Sequence, residues 1–223
     1  MDFGWGSAVL GGEYQVPVTL DYGATAIWAL SGALLATRSG CDPTGVAAIA
    51  LVSATGGGLL RDGIFLHQGP PLLLRNPVYI EIVALATLLV LLAGRRAMVL
   101  HRLPHVVDLT DTVGTAAFAL FGMQLTLQAG LGPAAGLLVG VVNGFGGGLL
   151  RDLLLGKPPA LLRPGPPQAV TVLVGCVAYL LLTLGLQVPG ALAGVVCVAG
   201  VLAARLVQER LRSTTRAVPP VEP

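Results

Sequence analysis

Seven long apolar runs, separated by short polar stretches, occupy most of the chain. None of them alternates between apolar and polar residues as a strand does, and each reaches or nearly reaches the roughly 17–25 residues that a membrane-spanning helix needs. A proline stands at or just before five of the starts, where its missing N–H is harmless: Pro43, Pro77, Pro133, Pro167 and Pro189. The pattern predicts an all-α integral membrane protein with seven transmembrane helices, at residues 22–38, 44–61, 77–94, 110–129, 132–151, 167–186 and 189–207.

The composition excludes a water-soluble domain. Of the 223 residues, 54% are hydrophobic and 11% are charged, and the mean hydropathy is +0.82, whereas an ordinary soluble domain has about a quarter of its residues charged. Cys41, Cys176 and Cys197 show no metal-binding or redox spacing, so we expect them to pack as small apolar residues. The sequence predicts no cofactor.

The basic residues are distributed unequally between the two sides of the membrane that seven spans define. One side carries only Arg61 and Arg75, and the other carries Arg38, Arg95, Arg96, Arg102, Arg151, Lys157, Arg163, Arg205, Arg210, Arg212 and Arg216. Because cytoplasmic loops are enriched in basic residues, we expect a multi-pass protein of the cell (inner) membrane with its amino terminus outside and its carboxyl terminus in the cytoplasm. Residues 1–20 hold no Lys or Arg and are interpreted as a short tail rather than a signal peptide. The spread of these charges along loops does not indicate a nucleic-acid partner.

The heptapeptide GGGLLRD occurs twice, at Gly56–Asp62 and at Gly146–Asp152. A shift of 90 residues lays 21–62 on 111–152 without a gap, so that an Asp, a Pro and the heptapeptide fall in register. We interpret this as an internal duplication. Each copy holds three helices, an odd number, so the second copy must enter the membrane the opposite way up. The predicted organisation is a single membrane domain over 1–223, with a first repeat at 21–94, a second inverted repeat at 111–186, a seventh helix at 189–207 and a cytoplasmic tail at 208–223.

Both glycine triplets fall past the middle of a predicted helix. Successive glycines impose little helical order, so one interpretation is a local break or bend in helices 2 and 5. Freed backbone groups are tolerated only where protein or water satisfies them, which makes the triplets candidates for lining a polar path. Tight packing is the alternative, and it is our interpretation of the ladder Gly136, Gly140, Gly144 and Gly148. The candidate path residues are Gly56, Gly57, Gly58, Gly146, Gly147, Gly148, Ser53, Thr55 and Asn143.

The Arg-Asp pair that ends each heptapeptide predicts two ion pairs. Sequence neighbours on a helix do not face one another, so each arginine is expected to find a carboxylate elsewhere. Asp21 begins helix 1 and Asp111 begins helix 4, on the same sides of the membrane as Arg61 and Arg151. We predict the structural ion pairs Asp21–Arg61 and Asp111–Arg151. The alternative is that both arginines extend to the lipid headgroups.

A doubled GGGLLRD in a chain of seven helices resembles the prokaryotic relatives of the trimeric intracellular cation (TRIC) channels, a family of glycine-rich bacterial membrane proteins. The resemblance implies a homotrimer with one ion path per subunit, glycine-bent second and fifth helices that line the pore, and potassium permeation. The partners it implies are potassium ions, membrane lipids and further copies of the chain, and it is compatible with a bound phospholipid.

A secondary transporter or exporter of a small solute, using the same repeat interface, is the alternative function. Ion-coupled transport usually needs an acid buried in the membrane. Glu81, early in helix 3, is the only candidate in the sequence and is better interpreted as an interfacial carboxylate. An enzyme is not expected, because the histidines lie in loops and the sequence has no nucleophile–base pair and no Walker-type phosphate-binding loop.

Overall fold

The computed structural model describes residues 18–67, 69–98, 103–162 and 168–215. The long helices of this part are α1 (Val18–Arg38), α2 (Pro43–Leu60), α3 (Val78–Met98), α4 (Leu103–Gln128), α5 (Pro133–Leu154), α6 (Gln168–Leu180) and α7 (Gly190–Thr215). Two of them, α2 and α6, continue into a few residues of π-helix, at Arg61–Leu66 and Leu181–Gly185. A short helix covers Leu72–Arg75 and a 3₁₀ turn covers Ala160–Leu162.

The protein is an all-helical, multi-pass membrane protein. Within the described residues, the segments that are long and apolar enough to cross a membrane are Val18–Arg38, Pro43–Leu66, Pro133–Leu154, Gln168–Gly185 and Gly190–Gln208. Val78–Ala93 is a shorter apolar helix. Every predicted run coincides with a helix, although α1 begins at Val18 rather than 22, α4 begins at Leu103 rather than 110, and α7 continues to Thr215. The count of seven spans and the inverted arrangement of the repeats stay predictions.

Some predicted features lie outside the described residues, namely the amino-terminal tail up to residue 17, Arg102, Arg163 and the chain after Thr215. The predicted loop that follows the third span is shorter than expected. Arg95 and Arg96 belong to α3, because the backbone stays helical as far as Met98.

The turns that lead into α2 and α5 are built in the same way. Each preceding helix is followed by a left-handed glycine, Gly40 or Gly130, and both have a φ of +80°, a conformation that glycine adopts without a Cβ penalty. Pro43 and Pro133 then begin α2 and α5, where no backbone N–H is needed. The helix pairs α1–α2 and α4–α5 are therefore joined by equivalent turns.

The core lies where α1, α2, α4 and α5 meet. One apolar cluster joins α1, α2 and α3 to Ala117 and Phe118 of α4, and a second cluster joins α4 and α5 to α6 and α7. In addition, α2 packs against α5 and α1 packs against α4. Leucines and valines on the outer faces of α3, α6 and α7 stay exposed, as expected for helices that face lipid.

Candidate functional site

The two glycine triplets form the contact between α2 and α5. A Cβ placed on Gly57 would overlap the carbonyl oxygen of Asn143, and a Cβ placed on Gly147 would overlap the carbonyl oxygen of Ser53. A Cβ on the first glycine of each triplet would lie 3.4 or 3.0 Å from a Cα of the other triplet. The two helices therefore meet backbone to backbone, an approach that only residues without side chains permit.

Both helices run through their triplets without a break, so the predicted local break is wrong, while a bend of the two helices stays a prediction. α2 and α5 are continuous over the ranges given above, and the carbonyls of Gly57 and Gly58 still accept hydrogen bonds from the Arg61 N–H. The backbone groups are not freed, because the opposite helix covers the positions where side chains would stand. The helical geometry changes only after the first triplet, where Arg61–Leu66 is π-helical.

The glycine ladder of α5 packs against neighbouring helices, which confirms the packing interpretation. Cβ atoms on Gly140 and Gly144 would lie 2.6 and 2.7 Å from carbonyl oxygens of α4. A Cβ on Gly148 would lie 2.6 Å from the ring of Trp28 in α1. The ladder therefore holds α5 close to two other helices of the same chain.

A small polar cavity, the first cavity, lies beside the first triplet. Its volume is about 30 Å³, enough for about two water molecules. Gly58 lines it together with two predicted path residues, Thr55 and Asn143, whereas Ser53 does not. Among the described residues, the buried Ser53 hydroxyl has no hydrogen-bond partner. The polar lining consists of Asp21, Thr25, Thr55, Arg61, Asp62, Tyr79 and Asn143.

The acids of the first cavity have different partners. Arg61 Nε lies 2.7 Å from Asp62 Oδ1, and Arg61 Nη1 lies 3.4 Å from Asn143 Oδ1. Asp21 Oδ2 instead accepts a 2.5 Å hydrogen bond from the Tyr79 hydroxyl. The predicted ion pair Asp21–Arg61 is therefore wrong, because Asp21 binds the Tyr79 hydroxyl and Arg61 pairs with Asp62.

A second cavity, also of about 30 Å³, lies beside the second triplet, where it is lined by Gly148, Asp111 and Arg151. Arg151 bridges two carboxylates, with Nη2 3.0 Å from Asp111 Oδ2 and Nε 2.9 Å from Asp152 Oδ1. The Ser31 hydroxyl donates a 2.6 Å hydrogen bond to Asp111 Oδ1 and accepts one of 2.9 Å from Arg151 Nη1. The predicted ion pair Asp111–Arg151 is present.

In both heptapeptides the arginine contacts the aspartate that follows it, which contradicts the expectation that these neighbours do not interact. That expectation concerns the directions of Cβ atoms on a helix, whereas a guanidinium stands at the end of a long side chain and can turn back to its neighbour. Arg61 is 3% exposed and Arg151 is 2% exposed. Neither arginine therefore extends to the headgroups, and each takes the nearest carboxylate to offset its own burial.

Two differences between the repeats account for the two arrangements. The carboxylate of the first cavity binds a phenol hydroxyl, and the equivalent position in the second repeat is an alanine. The carboxylate of the second cavity binds a serine hydroxyl, and the equivalent position in the first repeat is a phenylalanine. Neither of those replacements offers a side-chain hydrogen bond. The equivalent positions, 90 residues apart, are Tyr79 with Ala169 and Ser31 with Phe121.

The exposure of Glu81 agrees with its interpretation as an interfacial carboxylate, and the buried acids of the helices are ones that the sequence did not single out as such. Asp21 is 4% exposed and Asp152 is 1% exposed, whereas Glu81 in the first turn of α3 is exposed. Asp21 is buried although it lies near the start of its helix, because α3 and the short helix Leu72–Arg75 close over that end of the cavity. Within the described ranges, no group of three or more His, Cys, Asp or Glu residues could hold a metal ion.

These features define an all-helical, multi-pass membrane protein in which two glycine-rich helices cross beside two small polar cavities. The sequence model of the family described as glycine transporter matches residues 18–95 and 108–183. The chain belongs to this family. The two matched segments begin 90 residues apart, which is also the spacing between the two heptapeptides. No residue pattern discussed above indicates glycine as the solute.

Curated relatives are inner-membrane or membrane proteins. The chain is 35% identical over 145 residues to the UPF0126 inner membrane protein YadS of Escherichia coli K12, covering 65% of this chain and 68% of the relative. It is 37% identical over 143 residues to a UPF0126 membrane protein of Deinococcus radiodurans, covering 64% and 65% of the two chains.

Solved structures confirm the resemblance to TRIC channels. The fold is similar to that of the TRIC trimeric intracellular cation channel orthologue from Rhodobacter sphaeroides, with a TM-score of 0.78 and 28% identity over 85% of this chain and 95% of the other. A second TRIC structure, described as the structural basis for conductance through TRIC cation channels, gives a TM-score of 0.74 and 27% identity over 89% and 95%.

Proposed function

We propose that this chain is a potassium channel with one ion path per protomer, and that the path passes through the first cavity beside α2 and α5. The observation that carries the proposal is a cavity of about 30 Å³ with oxygen-rich walls, in a fold similar to that of cation channels. A potassium ion without its water shell is about as large as a water molecule, so the cavity can admit it. Gly58 is the triplet glycine that lines this path.

The hydrogen-bond donors of the cavity wall are already used elsewhere. The Thr55 hydroxyl donates to Leu51 O at 2.7 Å, and the Thr25 hydroxyl donates to the carbonyl of Asp21 at 2.8 Å. The Asn143 amide nitrogen donates to a backbone carbonyl of α4 at 2.6 Å. The hydroxyl oxygens of Thr25 and Thr55 therefore keep free lone pairs, and the Asn143 amide oxygen accepts only the 3.4 Å contact from Arg61 Nη1. Oxygens of this kind replace part of a cation's hydration shell.

The assembly and orientation belong to the same proposal. The likeness to channels that are described as trimeric supports a homotrimer in the inner membrane. The excess of arginines on one side supports an external amino terminus and a cytoplasmic carboxyl terminus. The equivalent turns into α2 and α5 and the matching cavities support two inverted three-helix repeats followed by a seventh helix.

Glycine transport is the second candidate function, and the family description favours it. The first cavity is too small for a whole amino acid, but it shares Asp62 and Leu72 with a neighbouring cavity of about 170 Å³. The two cavities together provide the room that a glycine molecule requires. A carrier would place glycine across both cavities, whereas a channel needs only the first.

Flux measurements on purified protein in liposomes separate the two candidates. We expect downhill potassium flux that glycine does not inhibit and that no proton or sodium gradient drives. Uptake of labelled glycine without potassium flux would contradict the channel and favour the carrier. A matched pair of variants then tests the path: Thr55→Val removes a hydroxyl from the cavity wall, and Thr87→Val removes a similarly buried hydroxyl from α3 that has no partner in the described structure.

We expect Thr55→Val to reduce potassium flux several-fold and Thr87→Val to leave it unchanged. Both substitutions keep the shape of the side chain, so a difference between them reports the lost oxygen rather than a change in packing. Equal flux in the two variants would place the path elsewhere.

A further inference from the structure

Asp21 is a buried carboxylate that forms no ion pair with any residue that the structure describes. It is 4% exposed, and its side chain accepts one hydrogen bond, from the Tyr79 hydroxyl. Within the described residues, no side-chain nitrogen of Lys, Arg or His lies within ion-pair distance of it. A buried charge that is not paired is costly, so this site favours a cationic ligand.

The second cavity shows what a paired carboxylate looks like at the equivalent position. Asp111 is held by Arg151 and by Ser31, so both of its oxygens have partners. In the first cavity the equivalent arginine, Arg61, pairs with Asp62 and forms no ion pair with Asp21. The two halves of the chain thus present the same acid in a satisfied and an unsatisfied state.

We propose that the Asp21 carboxylate binds a small monovalent cationic group, either a potassium ion or the ammonium end of an amino acid, in the place that Arg151 occupies at Asp111. The inference rests on the proposed function only in assigning the first cavity to the transported solute. Asp21 then makes the site selective for a positively charged solute.

The charges around the cavity agree with this assignment. Asp21, Arg61 and Asp62 line it, and the contact between Arg61 and Asp62 leaves one negative charge uncompensated. The remaining ligands are neutral oxygens, from Thr25, Thr55 and Tyr79, together with the Asn143 amide oxygen, which Arg61 contacts only at 3.4 Å. One carboxylate and several neutral oxygens form a site of the kind that monovalent cations occupy.

Ligand-dependent melting of the full chain in detergent tests the site, because a ligand that binds only the folded state raises the melting temperature. Potassium chloride and glycine are each titrated, with N-methyl-D-glucamine chloride at the same ionic strength as the reference. The variants are Asp21→Asn, its matched control Asp111→Asn, and Asp21→Glu, which keeps the charge. We expect Asp21→Asn to raise the half-saturating ligand concentration about tenfold or more, since a charged partner is lost, whereas Asp111→Asn keeps the wild-type value.

The outcomes separate the sources and the proposals. If potassium raises the melting temperature of the wild type but not of Asp21→Asn, the site is supported with potassium as its occupant. If glycine raises the melting temperature of the wild type but not of Asp21→Asn, the site is supported with an ammonium group as its occupant. Equal shifts in wild type and Asp21→Asn, or no shift with either ligand in wild type, would overturn the inference. If Asp21→Asn does not fold, a weakened shift in Asp21→Glu supports the site and an unchanged one overturns it. Potassium flux into liposomes tests the channel separately. Ligand binding at Asp21 without potassium flux would refute the channel but not the site. Potassium flux that is unchanged in Asp21→Asn would refute the site but not the channel.

Discussion

Replacing Gly57 by alanine places a methyl group where α2 and α5 meet backbone to backbone. The new Cβ would overlap the carbonyl oxygen of Asn143. A carbonyl on a continuous helix cannot rotate away as a flexible side chain does, so the two helices must move apart or the backbone must distort. Alanine at Gly147 should behave alike, because its Cβ would overlap the carbonyl oxygen of Ser53.

The expected loss of stability follows from two opposing contributions. Overpacking a well-packed core typically costs about 1–3 kcal/mol, and an immovable backbone contact belongs near the upper end. Alanine recovers up to about 1 kcal/mol of helix propensity relative to glycine. The net loss in the free energy of unfolding is then about 2 kcal/mol, or about 4–8 °C in melting temperature at about 2–4 °C per kcal/mol for a chain of this size.

Thermal unfolding of purified protein, followed by circular dichroism in one detergent, measures this difference. Gly200→Ala is the matched control, because Gly200 lies within α7 and a Cβ there would meet nothing within 4 Å. The control should keep its melting temperature or gain a few degrees from helix propensity. If Gly57→Ala and Gly200→Ala melt together, the backbone contact between α2 and α5 is not as close as described and the reasoning fails.

Two further predictions concern charge. Arg151→Met should lower the free energy of unfolding by about 3–5 kcal/mol, because it removes the guanidinium that Asp111 and Asp152 share. Arg61→Met removes the ion-pair partner of Asp62 alone and should cost less; chemical denaturation compares the two variants, and equal losses would contradict the asymmetry between the cavities. A reporter fused after Pro223 should be cytoplasmic, as the arginine distribution predicts; an external carboxyl terminus would reverse the proposed orientation.

The helices could be predicted from the sequence because each apolar run is long and is bounded by prolines and glycines. Pro43 and Pro133 begin α2 and α5 where the pattern places them. The ends were less accurate: α4 begins at Leu103, since polar residues at a helix end do not stop the backbone from staying helical. How far a helix continues beyond its apolar residues depends on local backbone geometry, which hydropathy does not predict.

The candidate site was predictable only where the two repeats agree. The pair Asp111–Arg151 follows from the shared register of the duplication, whereas its counterpart fails because Tyr79 provides a hydroxyl for Asp21. Tyr79 lies in the first repeat but outside the stretch in which the two copies match clearly, so sequence comparison gave no reason to single it out. The break expected at the triplets failed for a different reason, because intrinsic propensity cannot show that another helix will cover the glycines.

The contact between the triplets also restricts how the two halves of the chain can diverge. Side chains can change in one repeat and not in the other, as Tyr79 and Ala169 illustrate, because a neighbour can be altered in compensation. Gly57 and Gly147 face carbonyl groups, and every amino acid supplies the same carbonyl, so no substitution on the opposite helix can make room for a side chain there. A genetic screen for second-site suppressors of Gly57→Ala should therefore recover changes that move whole helices, and none at the facing residue.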